Sequence, residues 1–434
     1  MTTLVQRILA GDPGAAPEAE ARIAASPAAQ DVHDLRKALI QHYTRAPGIR
    51  RDAGVNHLDR DREAALRHRR ALHAAFPQDP WHAFHLGNLL TDTGRCDEAM
   101  THLAALRASS PDGLLEINVL TAIARVHRIR GEFDRAGEAL EQTLSRAREI
   151  FGPVLKDEQA QFVGAVLARL ARVFVLTGDP ARAARVIEDF PQANRHPLLE
   201  RTLRHARALL RDGPPSQRSD ARPVDLDALT VACVKHGTKY GPDYVNRLYA
   251  MVRRHLPGDW RFVCHTDDPS GLRPEVGVID ISRTGLRGWW TKLALFDPAT
   301  PIVDRTVLYL DLDTVVVGDL RFIGELKVGF HIMEHPDAPG FNSSVMLFDR
   351  AFAAPLHERF RTADMDRLPG DQDWIEECLP GIETFPHGLT HVYRGLHPDL
   401  DSAGLAGTGI RIVTFPTEPK PHQVRHGWVP EHWR

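Results

Sequence analysis

The sequence predicts a multidomain protein: an all-α array of helical repeats over residues 1–210, followed by an α/β domain over residues 225–434. Three observations predict it. Residues 1–210 are rich in Ala, Leu and Arg and short of β-branched runs, the composition of continuous helix. Within them, one register of small and apolar residues recurs around Gly94, Gly131 and Gly178. Beyond residue 225, short β-branched runs alternate with helical stretches, which argues for a sheet covered by helices. At 434 residues the chain also exceeds what one hydrophobic core usually covers.

Each marker glycine has the same surroundings. Leu86 and Gly87 precede Gly94, Ala99 and Leu103 follow it, and Pro111 closes the unit. Around Gly131 stand Ile123, Ala124, Ala136 and Leu140, and around Gly178 stand Leu170, Ala171, Ala183 and Ile187. Small residues let paired helices approach closely, and the glycine ends the first helix in a left-handed conformation. Each unit buries its face only against a neighbour. The pattern resembles a degenerate tetratricopeptide repeat with lengthened helices, since the glycines are 37 and 47 residues apart rather than about 34. Residues 1–78 are expected to add capping helices, Asp59 to Phe76 among them. Such an array offers a groove for a protein or peptide, or it supports or dimerises its neighbour; the sequence leaves both open.

Between Arg211 and Pro223 the density of Pro, Gly and Ser is one that no helix or strand tolerates, so residues 211–224 read as a linker. The strand candidates after it are Leu229 to Val234, Arg261 to His265, Val276 to Ile281, Val307 to Leu312, Ser344 to Phe348 and Ile410 to Phe415. A net charge of -3 gives no overall basic field, so nucleic acid is not an expected partner. Four cysteines without C-x-x-C spacing argue against a zinc site or a disulfide framework and read as buried thiols. No apolar run approaches the length of a membrane span, and the N-terminus lacks the apolar core of a secretory signal. The expected location is therefore cytoplasmic.

The sharpest local feature is Val307-Leu-Tyr-Leu-Asp311-Leu-Asp313-Thr-Val-Val-Val317, an apolar strand ending in two carboxylates. On a regular strand i and i+2 point to one side, so Asp311 and Asp313 can converge on one hard cation such as Mg²⁺ or Mn²⁺. The carboxyl end of a strand in an open α/β sheet is also where ligands bind. Along the domain stand, in order, Lys235 and Tyr240 after the first strand, Asp267 and Asp268 after the second, and Gly288-Trp289-Trp290-Thr291-Lys292-Leu293. The Asp311/Asp313 strand, Gly340-Phe341-Asn342-Ser343-Ser344-Val345-Met346-Leu347-Phe348, Gly370-Asp371-Gln372-Asp373 and Lys420-Pro421-His422 complete the set.

This ordered set resembles the GT-A fold glycosyltransferases of family 8 and related bacterial enzymes, which carry YLD-x-D, N-[AS]-[GS]-V-M-L-F, D-Q-D and a terminal K-P in this order. The resemblance covers about 200 residues. It implies metal-dependent transfer of a sugar from a nucleotide-diphosphate donor, in the uridine form, to an acceptor, with retention of configuration. Under it, Asp311 and Asp313 hold Mn²⁺ or Mg²⁺, Lys292 stands near the donor, Lys420 reaches the diphosphate, and Asn342 lies beside the sugar. Asp371 and Gln372 flank the reacting carbon as the catalytic pair, and Lys235 and Tyr240 line the wall for base and ribose. The chemistry suits these residue types: a cation and a lysine stabilise the charge developing on the diphosphate, and carboxyl or carboxamide oxygens face an oxocarbenium-like sugar.

The chain departs from the family pattern at one point. The family supplies a further metal ligand, a His shortly before the terminal Lys-Pro, whereas this chain reads Val413-Thr-Phe-Pro-Thr-Glu-Pro419. His422, Glu418 or water is left to complete the coordination. Trp289 and Trp290 read as packing residues ahead of a stacking platform, and Asp267 and Asp268 as a turn ahead of a ribose contact. Two other readings compete. Asp311-Leu-Asp313-Thr-Val fits the nucleophile strand of haloacid-dehalogenase-like phosphatases, although those place it on the first strand. Alternatively, the repeats form a binding scaffold beside a weakened transferase domain. A protein or peptide acceptor, a saccharide or lipid-linked acceptor, and a homo-oligomer all fit the sequence.

Overall fold

The computed structural model describes residues 3–12, 14–44, 62–109, 111–190, 197–213, 222–302, 306–335, 340–397 and 399–434. Two compact units make up the chain. The first is Met1–Gly152 with Arg394–Pro398 and Pro416–Lys420; the second is Pro153–Tyr393 with Asp399–Phe415 and Pro421–Arg434. The expected boundary at 211–224 is thus not where the units part: the helices of residues 157–212 belong with the sheet. Residues 214–221 of the predicted linker, like residues 59–61 of the predicted cap helix, lie outside the described residues.

The first unit contains α1 (Leu4–Leu9), α2 (Ala15–Ala25), α3 (Val32–Thr44), α4 (Arg62–Ala75), α5 (Pro80–Asp92), α6 (Cys96–Ala108), α7 (Gly113–Ile129) and α8 (Phe133–Phe151). Helix α5 starts from an Asp79 cap whose carboxylate accepts the Trp81 N–H, with Pro80 next, where its missing N–H costs nothing. It ends into Gly94 at φ 73°, as α7 ends into Gly131 at φ 74°. The apolar marker residues are buried in both pairs, and a Cβ on Gly87 would sit 2.7 Å from Leu103, so the small residue is what lets α5 and α6 close.

The glycines are not equivalent. A Cβ at Gly94 would lie 2.4 Å from the Leu396 backbone, whereas at Gly178 (φ 82°) it would meet nothing within 4 Å. Gly178→Ala is expected to cost only the left-handed backbone penalty, about 1–2 kcal/mol. Gly94→Ala adds a backbone collision and should cost clearly more; urea titrations of the two variants compare them directly.

The second unit opens with α9 (Asp157–Leu176), α10 (Pro180–Glu188) and α11 (Pro197–Asp212). Helix α9 is long and apolar enough to cross a bilayer by length and composition, and 61% of its most apolar window is buried within the fold. The strands are β1 (Leu229–Lys235), β2 (Arg261–Thr266), β3 (Gly277–Asp280), β4 (Thr306–Leu310), β5 (Thr314–Val316), β6 (Phe330–Glu334), β7 (Phe341–Asp349), β8 (Glu383–Thr384), β9 (Thr390–Val392) and β10 (Ile412–Thr414). Seven form one sheet in the order β3-β2-β1-β4-β7-β6-β8, and β5-β10-β9 form a second. Strands β3, β2, β1 and β4 run parallel, while β7 is antiparallel to both β4 and β6.

The central strands of the mixed sheet are buried along their length, so β1 and β4 read as mostly apolar runs without alternation, while β7 carries the polar run Asn342-Ser343-Ser344 before Val345 to Phe348. One face packs against a 3-10 helix, Gly288–Phe296, and against helices α13 (Arg350–Glu358) and α15 (Asp371–Cys378), which follow α12 (Pro242–His255) and precede and succeed the short α14 (Asp364–Arg367). The predicted strand Val307 to Leu312 stops at Leu310, because the chain turns there and Thr314 joins the second sheet. Among the cysteines, Cys233, Cys264 and Cys378 are buried and Cys96 is half-buried.

Candidate active site

Three parallel strands, β2, β1 and β4, end side by side, and each releases polar residues at its carboxyl end. From β1 comes Lys235, from β2 Asp267 and Asp268, and from β4 Asp311 and Asp313. Strand β7 runs alongside β4 in a register that sets Leu310 opposite Val345, so the Asp311 N–H donates to the Ser344 carbonyl at 2.9 Å. The polar run Asn342-Ser343-Ser344, buried in the sheet, is thereby placed next to the first aspartate.

Asp311 is the centre of a buried network. The Tyr309 hydroxyl donates to its Oδ1 at 2.5 Å, and Lys292 Nζ lies 3.1 Å from Oδ1 and 3.2 Å from Oδ2. Lys292, 8% exposed on the 3-10 helix, also donates to Ser343 Oγ at 3.0 Å and to its carbonyl at 3.3 Å. Its ammonium stands 5.4 Å from the Tyr309 ring centroid. Asp371, the first residue of α15 and 4% exposed, places Oδ2 3.7 Å from Lys292 Nζ, too far for a hydrogen bond, and that oxygen has no other hydrogen-bond partner.

The electrostatics follow from this crowding. Burial opposes ionisation of Asp311, yet the Lys292 charge and the Tyr309 and Ser344 hydrogen bonds hold its pKa below the ordinary value. Burial likewise works against the charge on Lys292, but Asp311 and Asp371 outweigh it and its pKa is raised. At Asp371 burial, aided by the nearby Asp311 charge, outweighs Lys292, the Ser343 hydrogen bond and a backbone hydrogen bond, and its pKa is pushed upward.

Asp313 is held from another side. The Tyr240 hydroxyl donates to its Oδ2 at 2.7 Å, and the Tyr240 ring packs on Tyr244 at 4.6 Å between centroids. The Tyr244 hydroxyl in turn meets His422 Nδ1, and both rings pack against Trp433. His422 thus joins the Asp313 corner through two tyrosines. Among the described residues no three His, Cys, Asp or Glu side chains are grouped to hold a metal ion. Asp311 and Asp313 are hard oxygen donors, and a Mg²⁺-type ion commonly takes one or two carboxylates and completes its shell with water and substrate phosphate. The pair fits that donor set, and one lysine against the three acids Asp311, Asp313 and Asp371 leaves negative charge for a cation to balance.

The other expected residues are placed as follows. Lys235 Nζ donates to the Asp268 carbonyl at 3.0 Å, so its ammonium ties the end of β1 to the loop after β2. Asp267 accepts the Gly237 N–H at 3.0 Å and pairs with His236 at 3.2 Å, clamping the same two loops, while Asp268 accepts the Ser270 N–H in a turn. The Asn342 carboxamide oxygen accepts the Ser344 N–H at 2.9 Å within its own strand. Gln372 is half-buried in the first turn of α15. Lys420 is buried in the Pro416–Lys420 segment of the first unit, where its N–H donates to Glu418 at 3.2 Å. Trp290 lies in the core against Phe360, and Trp289 packs on Gly370. Sequence reasoning passed over Tyr309 and Ser343. Tyr309 stands two residues before Asp311, a spacing that a strand puts on one side.

No family model matches the chain, and no curated protein matches it. Among solved structures, it is similar to the apo-form glycosyltransferase GlyE of Streptococcus pneumoniae TIGR4, with TM-score 0.35 and 18% identity over 47% of this chain and 58% of that one. It is also similar to an O-GlcNAc transferase mutant of Thermobaculum terrenum, with TM-score 0.27 and 15% identity over 77% of this chain and 49% of that one. The chain spans less than two thirds of either structure, and similarity at this level fixes neither fold nor activity.

Proposed function

We propose that the second unit carries a GT-A type glycosyltransferase site that moves a sugar from a nucleotide diphosphate, in the uridine form, to an acceptor. The observation that carries this reading is the buried Lys292–Asp311–Asp371 network with Asp313 beside it, at the carboxyl ends of parallel strands where α/β sheets take phosphorylated ligands. When bound, a divalent cation such as Mn²⁺ or Mg²⁺ would be held by Asp311 and Asp313 and would supply Lewis-acid stabilisation of the departing diphosphate.

The chain's own residues divide the remaining work. Lys292 keeps Asp311 ionised and fixes it against Ser343. Tyr240 orients Asp313. Asp371, with one buried oxygen lacking a hydrogen-bond donor, is suited to accept from a sugar hydroxyl, and Gln372, the next residue of α15, would flank the reacting carbon with it. Transfer breaks the bond from the anomeric carbon to the diphosphate oxygen and forms one to an acceptor oxygen, with retention as the expected outcome. The helix pairs of the first unit, read as tetratricopeptide-like, offer the place for a protein or peptide partner, and a cytoplasmic setting suits such a donor.

Calorimetric titration with uridine diphosphate and a panel of its sugars, with and without Mn²⁺, tests the reading. Binding should need metal in the wild type and fall at least tenfold in the Asp311→Ala, Asp313→Ala double variant. Absence of binding under every metal condition sinks it.

A further inference from the structure

Helix α15 has only eight residues and a glycine cap, which has no side chain to accept from the first N–H groups. A helix of this length has little stability of its own, so what holds it must be tertiary contact. Its apolar side supplies one hold, with Trp374, Ile375 and Cys378 in the core. The other side carries Asp373 and Glu376, three residues apart on one helical face. Both are met by Arg201 of α11: Nη1 contacts Asp373 Oδ1 and lies 3.5 Å from Glu376 Oε2. Glu376 is 7% exposed, so its charge needs such company.

The same face of α11 grips the neighbouring strand. His205, four residues after Arg201, packs edge-on against Phe341 at 5.5 Å, the residue before Asn342 on β7. Arg172 of α9, 5% exposed, covers Phe341 at 5.0 Å and lies 3.7 Å from Glu334 on β6. Helices that the sequence assigns to the repeat array therefore touch two of the elements that carry candidate site residues, α15 with Asp371 and Gln372 and β7 with Asn342 and Ser343.

We infer that Arg201 is a positioning residue for sugar transfer, holding α15 through Asp373 and Glu376 so that Asp371 and Gln372 stand where the donor sugar reacts. The inference rests on the transferase reading for its kinetic consequence but not for its structural one. Arg201 touches no reacting atom; its effect is on where α15 sits, and displacement of a reacting group by about an ångström can cost on the order of 100-fold in rate.

The test uses the full chain with Arg201→Met, Arg201→Lys and the charge swap Arg201→Glu with Asp373→Arg. Hydrogen exchange of peptides spanning residues 370–379 should be faster in Arg201→Met, partly restored in Arg201→Lys and restored further in the swap. Turnover of a nucleotide sugar should fall about 10- to 100-fold in kcat in Arg201→Met. KM for the donor should change less than about twofold, because the phosphate side of the site is untouched. Unchanged exchange in Arg201→Met overturns the brace, and faster exchange with unchanged kcat overturns its role in transfer. A wild type without turnover on any nucleotide sugar sinks the transferase reading alone, and the exchange result then decides whether Arg201 holds the helix.

Discussion

Lys292→Met is expected to destabilise the second unit by about 3–5 kcal/mol, the cost of stripping the partner from buried charge. Methionine fills much of the same volume, so the loss is electrostatic more than steric. The ammonium is the cation that Asp311 and Asp371 share, at 3.1 Å and 3.7 Å; the Asp371 carboxylate is shielded from water, and the Asp311 carboxylate is half-buried. The pH dependence separates this cause from simple packing loss. In the wild type, Asp311 has a lowered pKa, so it contributes stability above its unfolded value that is lost as pH falls through the folded one. Without Lys292, burial dominates at both acids, their folded pKa values rise, and protonation then favours the folded state. The deficit of Lys292→Met relative to wild type should therefore shrink from pH 7 to pH 5 in denaturant titrations. Adding Asp371→Asn, which removes one of the two orphaned charges, should recover part of it. A deficit independent of pH would mean that the lysine's stem, not its charge, is what the site needs.

The parts of this site that were legible in sequence are those where one strand or one helix start dictates the local order. Asp311, Lys292 and Asp371 stand in the quoted motifs and come together at the carboxyl end of β4, while the β4–β7 register sets Asn342 nearby on β7, where its side chain bonds within its own strand. Gly94, Gly131 and Gly178 were legible for a similar reason, since a left-handed residue after a helix selects glycine wherever it occurs. What escaped was tertiary. The i and i+2 argument for Asp311 and Asp313 assumed a strand that continues, whereas the chain leaves β4 at Leu310 and the two carboxylates find different partners, Lys292 and Tyr240. The place where the units part was hidden because α9 and α10 repeat the register of the earlier helix pairs around Gly178. Arg172, Arg201 and His205, which tie α9 and α11 to β6, β7 and α15, look like ordinary residues of an arginine-rich helix until their partners are known.

Two histidines should make the second unit acid-sensitive well above the carboxylate range. His265, fully buried on β2 with neither ring nitrogen hydrogen-bonded, has its pKa pushed down to about 4 by burial, with Arg350 adding to the shift. His205, 4% exposed, is pushed down to about 3, again first by burial and then by Arg172, against a hydrogen bond to the Pro380 backbone. Both rings are neutral in the folded chain at pH 5, while in the unfolded chain they protonate near pH 6.5. The unfolded state then binds more protons, so stability rises with pH between the folded and unfolded values and is lost as pH falls below about 6.5. At 1.36 kcal/mol per pH unit, each ring removes about 2 kcal/mol between pH 7 and pH 5. The raised pKa values of Asp371 and Glu376 act in the opposite sense, since a folded state that binds protons more readily gains as pH falls. A difference between variants cancels that contribution. His265→Leu should keep about 2 kcal/mol of the stability that the wild type loses between pH 7 and pH 5, read from denaturant midpoints at constant m. If wild type and His265→Leu lose the same amount, water or a local opening reaches His265 and its ring titrates as freely in the folded chain as in the unfolded one.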